Sequence, residues 1–186
     1  MNPEVMRPRL MAASIYIAGF QALRDSVVGR IRDFFWVGFD KSGDKIDPKY
    51  MSDVLSRNKS PLYASLDWLK EMNAINDHDL STFDRVKACR NTLAHKLFSA
   101  LGTEGLPADF EQCFTDMVSL LRKIEVWWIT NVDIPTNPDY DGSDIDEDGL
   151  IPGPVMGMQL LFDIALGDDK QSKFYYNQFR TGPGSG

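Results

Sequence analysis

Residues 108–131, ADFEQCFTDMVSLLRKIEVWWITN, carry the cleanest periodicity in the chain. Phe110, Phe114, Met117, Leu121, Ile124 and Trp128 follow one another at steps of three and four residues. That spacing puts them on one face of a helix, because side chains three and four apart stack on the same side. The same steps recur upstream. From about Pro8 to Phe35, Leu10, Ala13, Ile17, Phe20, Leu23, Val27, Ile31 and Phe34 form one continuous stripe. Asp47-Pro48 and Ser60-Pro61 each set a capping residue before a proline suited to a first helical turn. A short helix is expected after the first pair. A longer one, through Leu62, Leu66, Leu69 and Met72, is expected after the second. The polar connection NAINDHD (73–79) leads to a helix from about Leu80 to Leu101, and Pro154-Val155 opens a last one, Met156 to Leu166. Strand signals are scarce, and KSGDKIDP (41–48) reads as a turn. The expected fold class is all-α, a bundle of about four long helices plus shorter ones.

The chain's 186 residues suffice for one core, and its 43% hydrophobic and 25% charged content is that of a globular protein. We expect a single helical domain over 1–180, a flexible tail at 181–186, and an acidic loop at 133–149 inserted before the last helix. No run approaches the roughly 18 consecutive apolar residues of a spanning helix, so no membrane partner is expected. The N-terminal MNPEVMRPRLMAASIYIAGFQALRD continues as an amphipathic pattern through Arg24, Asp25 and Arg30, and reads as the first helix, not as a targeting segment. Cys89 and Cys113 are the two cysteines, too few for a disulfide framework. Buried free thiols in a reducing cytoplasm are expected.

The formal net charge is −7, yet seven acidic side chains and no basic one lie within 133–149. Outside that loop acidic and basic residues balance. Long-range attraction to a polyanion is therefore weak, and only a local cationic site remains open to RNA.

One segment breaks the helical pattern. On a helix at about 100° per residue, Phe83, Val86, Leu93, Leu97 and Leu101 share a face, and Arg90 sits within it where leucine would be expected. A guanidinium does not shed its charge, so this position demands a partner or a solvated cleft. A buried carboxylate pinning the arginine, or a side chain reaching to the surface, would meet that demand without any function. Asn91 and His95, four apart, are neighbours on one side of the helix. Such a histidine can serve as general acid or base near neutral pH, or simply cap the helix. Arg90 and His95 are five apart, about 140° around an ideal helix. They meet at one substrate only through a long reach, a distorted helix or a second protomer.

Arg90-Asn91-Thr92-Leu93-Ala94-His95 resembles the motif of the HEPN (higher eukaryotes and prokaryotes nucleotide-binding) superfamily: arginine, a polar residue, three more, then histidine. The setting inside a helix of a small all-helical domain is similar too. The resemblance implies a metal-independent endoribonuclease, a toxin or defence effector that needs no cofactor and acts as a homodimer on single-stranded RNA. It gives Arg90, Asn91 and His95 the catalytic roles. His95 would activate the ribose 2′-hydroxyl or protonate the leaving 5′-oxygen, Arg90 would stabilise transition-state charge, and Asn91 would orient the histidine or hydrogen-bond the phosphate. It also implies an antitoxin or other regulatory protein as a partner. Members paired with a nucleotidyltransferase-type antitoxin often carry tyrosine two residues after the histidine; here that position is Leu97, which argues against such a pairing. The alternative is a non-catalytic HEPN-like module for interaction or for binding nucleotides or RNA.

Other signals carry less. Asp144-Ile-Asp-Glu-Asp-Gly149 imitates the start of a calcium loop, but its ninth and twelfth positions are Pro152 and Val155 where the loop needs ligands. A solvated acidic loop is the better account. Trp127-Trp128 reads as one indole on the stripe with its neighbour at an interface, and Phe174, Tyr175, Tyr176 and Phe179 as a tail packing on the bundle. His78 reads as exposed. No glycine-rich phosphate loop, zinc-spaced ligand set or serine-hydrolase elbow is present.

Overall fold

Three long helices make the centre of the molecule, and each begins where the local chemistry allows. A computed structural model describes residues 2–41, 43–140 and 146–166. Helix α1 (Pro3–Arg24) starts earlier than the apolar stripe suggests, because Asn2 accepts a hydrogen bond from the Glu4 amide (3.0 Å) and Pro3 occupies the first turn. It continues through a π-helical turn (Asp25–Gly29) into α2 (Arg30–Phe34), so the expected stripe is one nearly unbroken rod. Its buried line runs Ala13, Tyr16, Phe20, Leu23, Val27 and Ile31, whereas Leu10, Ile17 and Phe34 face outward. Tyr16, one residue from the predicted Ile17, is completely buried.

Residues 36–46 correct the expectation of a plain turn. Strands β1 (Trp36–Asp40) and β2 (Gly43–Ile46) pair antiparallel, with Gly38 and Gly43 at positive φ. The strands are short and mostly exposed, so no alternation of apolar and polar residues announced them. Arg32 of α2 holds the hairpin through Asp44 (2.9 Å). A π-helical turn (Tyr50–Val54) and a 3₁₀ turn (Leu55–Arg57) then lead to α3 (Pro61–Glu71), which starts at Pro61 as expected. Asn73, at φ 58°, ends that helix in the left-handed conformation that asparagine tolerates.

Helix α4 (Asp77–His95) begins with a reciprocal capping box: Asn76 accepts from the Asp79 amide (3.1 Å) and Asp79 accepts from the Asn76 amide (2.8 Å). The expected helix to Leu101 is broken at Lys96 and resumes as α5 (Leu97–Leu101). Neither glycine nor proline marks that break. Helix α6 (Phe110–Trp128) runs on through a π-helical turn (Ile129–Asp133) into α7 (Ile134–Thr136). The first part of the expected acidic loop is therefore helical, with a 3₁₀ turn at Pro138–Tyr140, and α8 (Gly153–Leu166) follows.

Helices α1, α4 and α6 pack on one another, α8 lies against α1 and α6, and α3 covers the first π turn. One continuous core reaches from Ala13 to Met158. Gly19 lets α8 approach, since a Cβ there would lie 2.5 Å from the Met158 methyl and 2.6 Å from that of Met117. The class is all-α, with one small hairpin. Among the described residues no helix is long and apolar enough to cross a membrane. The tail aromatics at 174–179 and the 181–186 segment lie outside the described residues.

Candidate functional site

Charge is divided along α4. Asp77, Asp79 and Asp84 occupy its first half; Arg85, Lys87, Arg90, His95 and then Lys96 follow. The earlier cations are engaged. Arg85 pairs with Asp116, and Lys87 donates to the Tyr63 hydroxyl (3.0 Å) while lying 4.5 Å from its ring centroid. Arg90, His95 and Lys96 have no carboxylate partner among the described residues.

Arg90 is half-buried between Val86 and Leu93, both fully buried. Its Nη1 donates to Asn91 Oδ1 (3.2 Å), and its guanidinium carbon stands 5.8 Å from the Phe20 ring centroid. Its Nε–H is buried without a hydrogen-bond partner. Among the described residues no buried carboxylate stands beside this arginine. An unmet buried donor costs about 1–3 kcal/mol, and a cation near the edge of aromatic range recovers only about 0.5–1 kcal/mol. As a stabilising device the position is poor.

Asn91 is half-buried and joined to Arg90. His95, the last residue of α4, is exposed and makes no hydrogen bond or ion pair among the described residues. The structure thus brings Arg90 and Asn91 together and leaves the imidazole unengaged at the helix end. Beyond it, α5 packs against α1, tied by Arg9 Nη1 donating to the Gly102 carbonyl (2.8 Å), and Phe98 is 85% exposed.

Two clusters escaped the sequence reading. Glu125 is only 3% exposed. It accepts from the Ser26 hydroxyl and from Arg30 Nη1 (3.1 Å), and Arg30 Nη2 reaches Asp133 at 2.6 and 2.8 Å. Trp128 donates from its indole to the Ser26 carbonyl (3.2 Å) and lies 5.4 Å beneath the Arg30 guanidinium. An open groove of about 360 Å³ beside them is lined by Arg30, Asp33, Phe34, Trp128, Val132 and Asp133. With two carboxylates on one cation, this network carries a net negative charge, ties the α1–α2 rod to the α6 rod, and leaves no cation free for an anionic ligand. Trp128 is buried and Trp127 half-buried, both packed with Trp68, as the ordinary account of that pair expects.

The second cluster joins Cys89 of α4 to Cys113 of α6 and Asp109, the residue that precedes α6. One ligand atom from each lies within 4.8 Å of the others. Both thiols are buried and free, as expected from sequence. Burial, with Asp109 and Cys89 adding, pushes the Cys113 thiol up to about 12, and burial raises Cys89 as well. Left to themselves both stay protonated at neutral pH, which removes them as nucleophiles. The buried Tyr16 hydroxyl, raised chiefly by desolvation, borders both and donates to the Val86 carbonyl (3.0 Å).

The acidic segment is held from α6. Arg122 Nη2 donates to the carbonyls of Glu147 (3.1 Å), Asp148 (3.0 Å) and Leu150 (3.3 Å), so an arginine ties down the backbone of this segment. His78 is exposed, as expected.

The class established is a helical bundle with an uncompensated cation in one of its central helices. Compared with known proteins, the chain matches no family model, no curated protein and no solved structure.

Proposed function

We propose that the chain is a HEPN-like, metal-independent endoribonuclease that cleaves single-stranded RNA in the cytoplasm and works as a homodimer. One observation carries this reading: Arg90 stands in an apolar stripe with a buried Nε–H unmet and, among the described residues, no carboxylate beside it. A phosphate at the accessible part of this half-buried guanidinium supplies the missing negative charge.

The chemistry follows from the groups available. His95 takes the proton of the ribose 2′-hydroxyl, the oxygen attacks the adjacent phosphorus, and the imidazolium so formed gives that proton to the 5′-oxygen as the phosphorus–5′-oxygen bond breaks. Arg90 stabilises the extra negative charge on the phosphoryl oxygens in the transition state. Asn91, already bonded to Arg90, offers its amide N–H to the same phosphate. Products carry a 2′,3′-cyclic phosphate and a free 5′-hydroxyl. Arg90 and His95 diverge around α4, so a second copy brings one chain's imidazole to the other's guanidinium. Exposed Phe98, three residues beyond His95, is an apolar anchor for that copy. A toxin or defence role, with an antitoxin or regulatory protein as partner, follows from the resemblance. Leu97 in place of tyrosine excludes control by modification at that position.

The test is incubation of the purified chain with single-stranded RNA in excess EDTA. Cleavage to cyclic-phosphate ends is expected, lost in His95→Ala and Arg90→Ala with folding intact. A monomer in solution, or cleavage unchanged by both substitutions, would overturn the reading. One feature favours the alternative, a non-catalytic RNA- or nucleotide-binding module: His95 lacks the orienting hydrogen bond that a general base ordinarily has. RNA bound equally well by the chain and by His95→Ala, and cut by neither, would decide for it.

A further inference from the structure

We propose that Cys89, Cys113 and Asp109 form a binding site for one thiophilic divalent cation of the zinc type, which ties α4 to the start of α6. Their ligand atoms already lie within 4.8 Å of one another. A tetrahedral zinc ion, with bonds of about 2.3 Å to sulfur and about 2.0 Å to oxygen, spaces its ligand atoms roughly 3.5–3.8 Å apart. Cys113 Sγ and Asp109 Oδ2 are 3.4 Å apart. Closing the set therefore asks for side-chain adjustment, not for movement of helices.

The surroundings suit the ion. Asp109 and Cys113, four residues apart across the first turn of α6, project from one side of that 19-residue helix, and Cys89 faces them from α4. Two thiolates and a carboxylate around a divalent cation leave one net negative charge, which the positive end of the α6 dipole favours. Tyr16 closes the inner side, with Phe110 5.2 Å from its ring. Asp109 is exposed and gives the ion a path in, leaving the fourth corner to water. Each thiol gives up its proton to the solvent on binding, two protons for each ion, so uptake depends on pH. Cys89 immediately precedes Arg90, so the ion would also fix the turn that carries the candidate anion-binding group. The site takes no part in the proposed RNA chemistry and stands or falls separately from it.

The experiment uses the full chain, reduced and stripped of metal, with Co²⁺ as the probe. One equivalent is expected to produce a thiolate-to-cobalt charge-transfer band, to be displaced by Zn²⁺, and to release two protons in weak buffer. Cys89→Ala and Cys113→Ala should lose the band. Both positions are in the core, so the exposed Asp109→Asn is the second arm: its fold should be unchanged and its Co²⁺ affinity at least tenfold weaker. Absence of the band in the reduced chain overturns the proposal. So does an Asp109→Asn variant that binds Co²⁺ as tightly as the unaltered chain.

Discussion

Arg30 and Arg90 sit in helices of the same bundle, each beside an aromatic ring, and they are treated in opposite ways. Arg30 bonds to Glu125 and Asp133 and covers Trp128. Arg90 has Asn91, the Phe20 ring beneath it at 5.8 Å and, among the described residues, no carboxylate. The first arginine is a strut: its partners come from the α6 rod about 100 residues away in the chain, and the fold needs it because Glu125 is buried. The second is a cation the fold tolerates without using. A protein that can neutralise one arginine so thoroughly has the means to neutralise another, and that contrast is the ground for proposing an outside anion at Arg90.

The largest effect that would separate the two concerns activity. His95→Ala and Arg90→Ala should each lower RNA cleavage by at least about 100-fold, the usual contribution of a positioned acid–base or charge-stabilising group. Arg30→Lys should leave the cleavage rate of the folded protein near that of the unaltered chain. Rates on a fluorescent single-stranded RNA measure this, and equal losses at both arginines would erase the distinction.

Stability should show the reverse order. Arg30→Ala strands a buried carboxylate and should cost about 2–3 kcal/mol, at or below the roughly 3–5 kcal/mol of a fully buried pair because Arg30 itself is one-third exposed. Urea unfolding at neutral pH reads that loss. Arg90→Leu restores the apolar stripe, removes an unmet donor, and should leave stability unchanged or raise it by about 1 kcal/mol. A loss of 2 kcal/mol or more in that variant, on the scale of a broken buried pair, would show that Arg90 is structural after all.

The smallest effect belongs to a third arginine. Arg32, with the Trp36 indole, holds the Asp44 carboxyl below the usual carboxylate range in the folded protein. A lowered folded value means this pair helps folding above the unfolded carboxylate range and stops helping as pH falls through the folded value. In NMR titration the Asp44 carboxyl should move upward in Arg32→Ala, with little change in melting temperature at neutral pH, since exposed pairs stabilise weakly.

Legibility in the sequence followed the range of the interactions. Met117, Leu121, Ile124 and Trp128 were readable as core because helix periodicity is a local property, and all four are buried. Arg90 was readable as an anomaly for the same reason: it interrupts a stripe. Glu125 was not, since a glutamate beside Ile124 looks like any surface glutamate until Ser26 and Arg30 arrive from another helix. The 36–46 hairpin was missed because its short exposed strands lack alternation, and the break at Lys96 because no glycine or proline announces it.

From its residues alone this chain determined an all-helical bundle, the approximate positions of its long helices and one arginine out of place. Those depend on the 3.6-residue repeat and on capping groups, which act within a few residues. Only the tertiary structure decided which arginine found carboxylates, that Cys89 meets Asp109 and Cys113, and that His95 ends its helix exposed. Such pairings join segments far apart in sequence, and their energies exist only once the helices have packed.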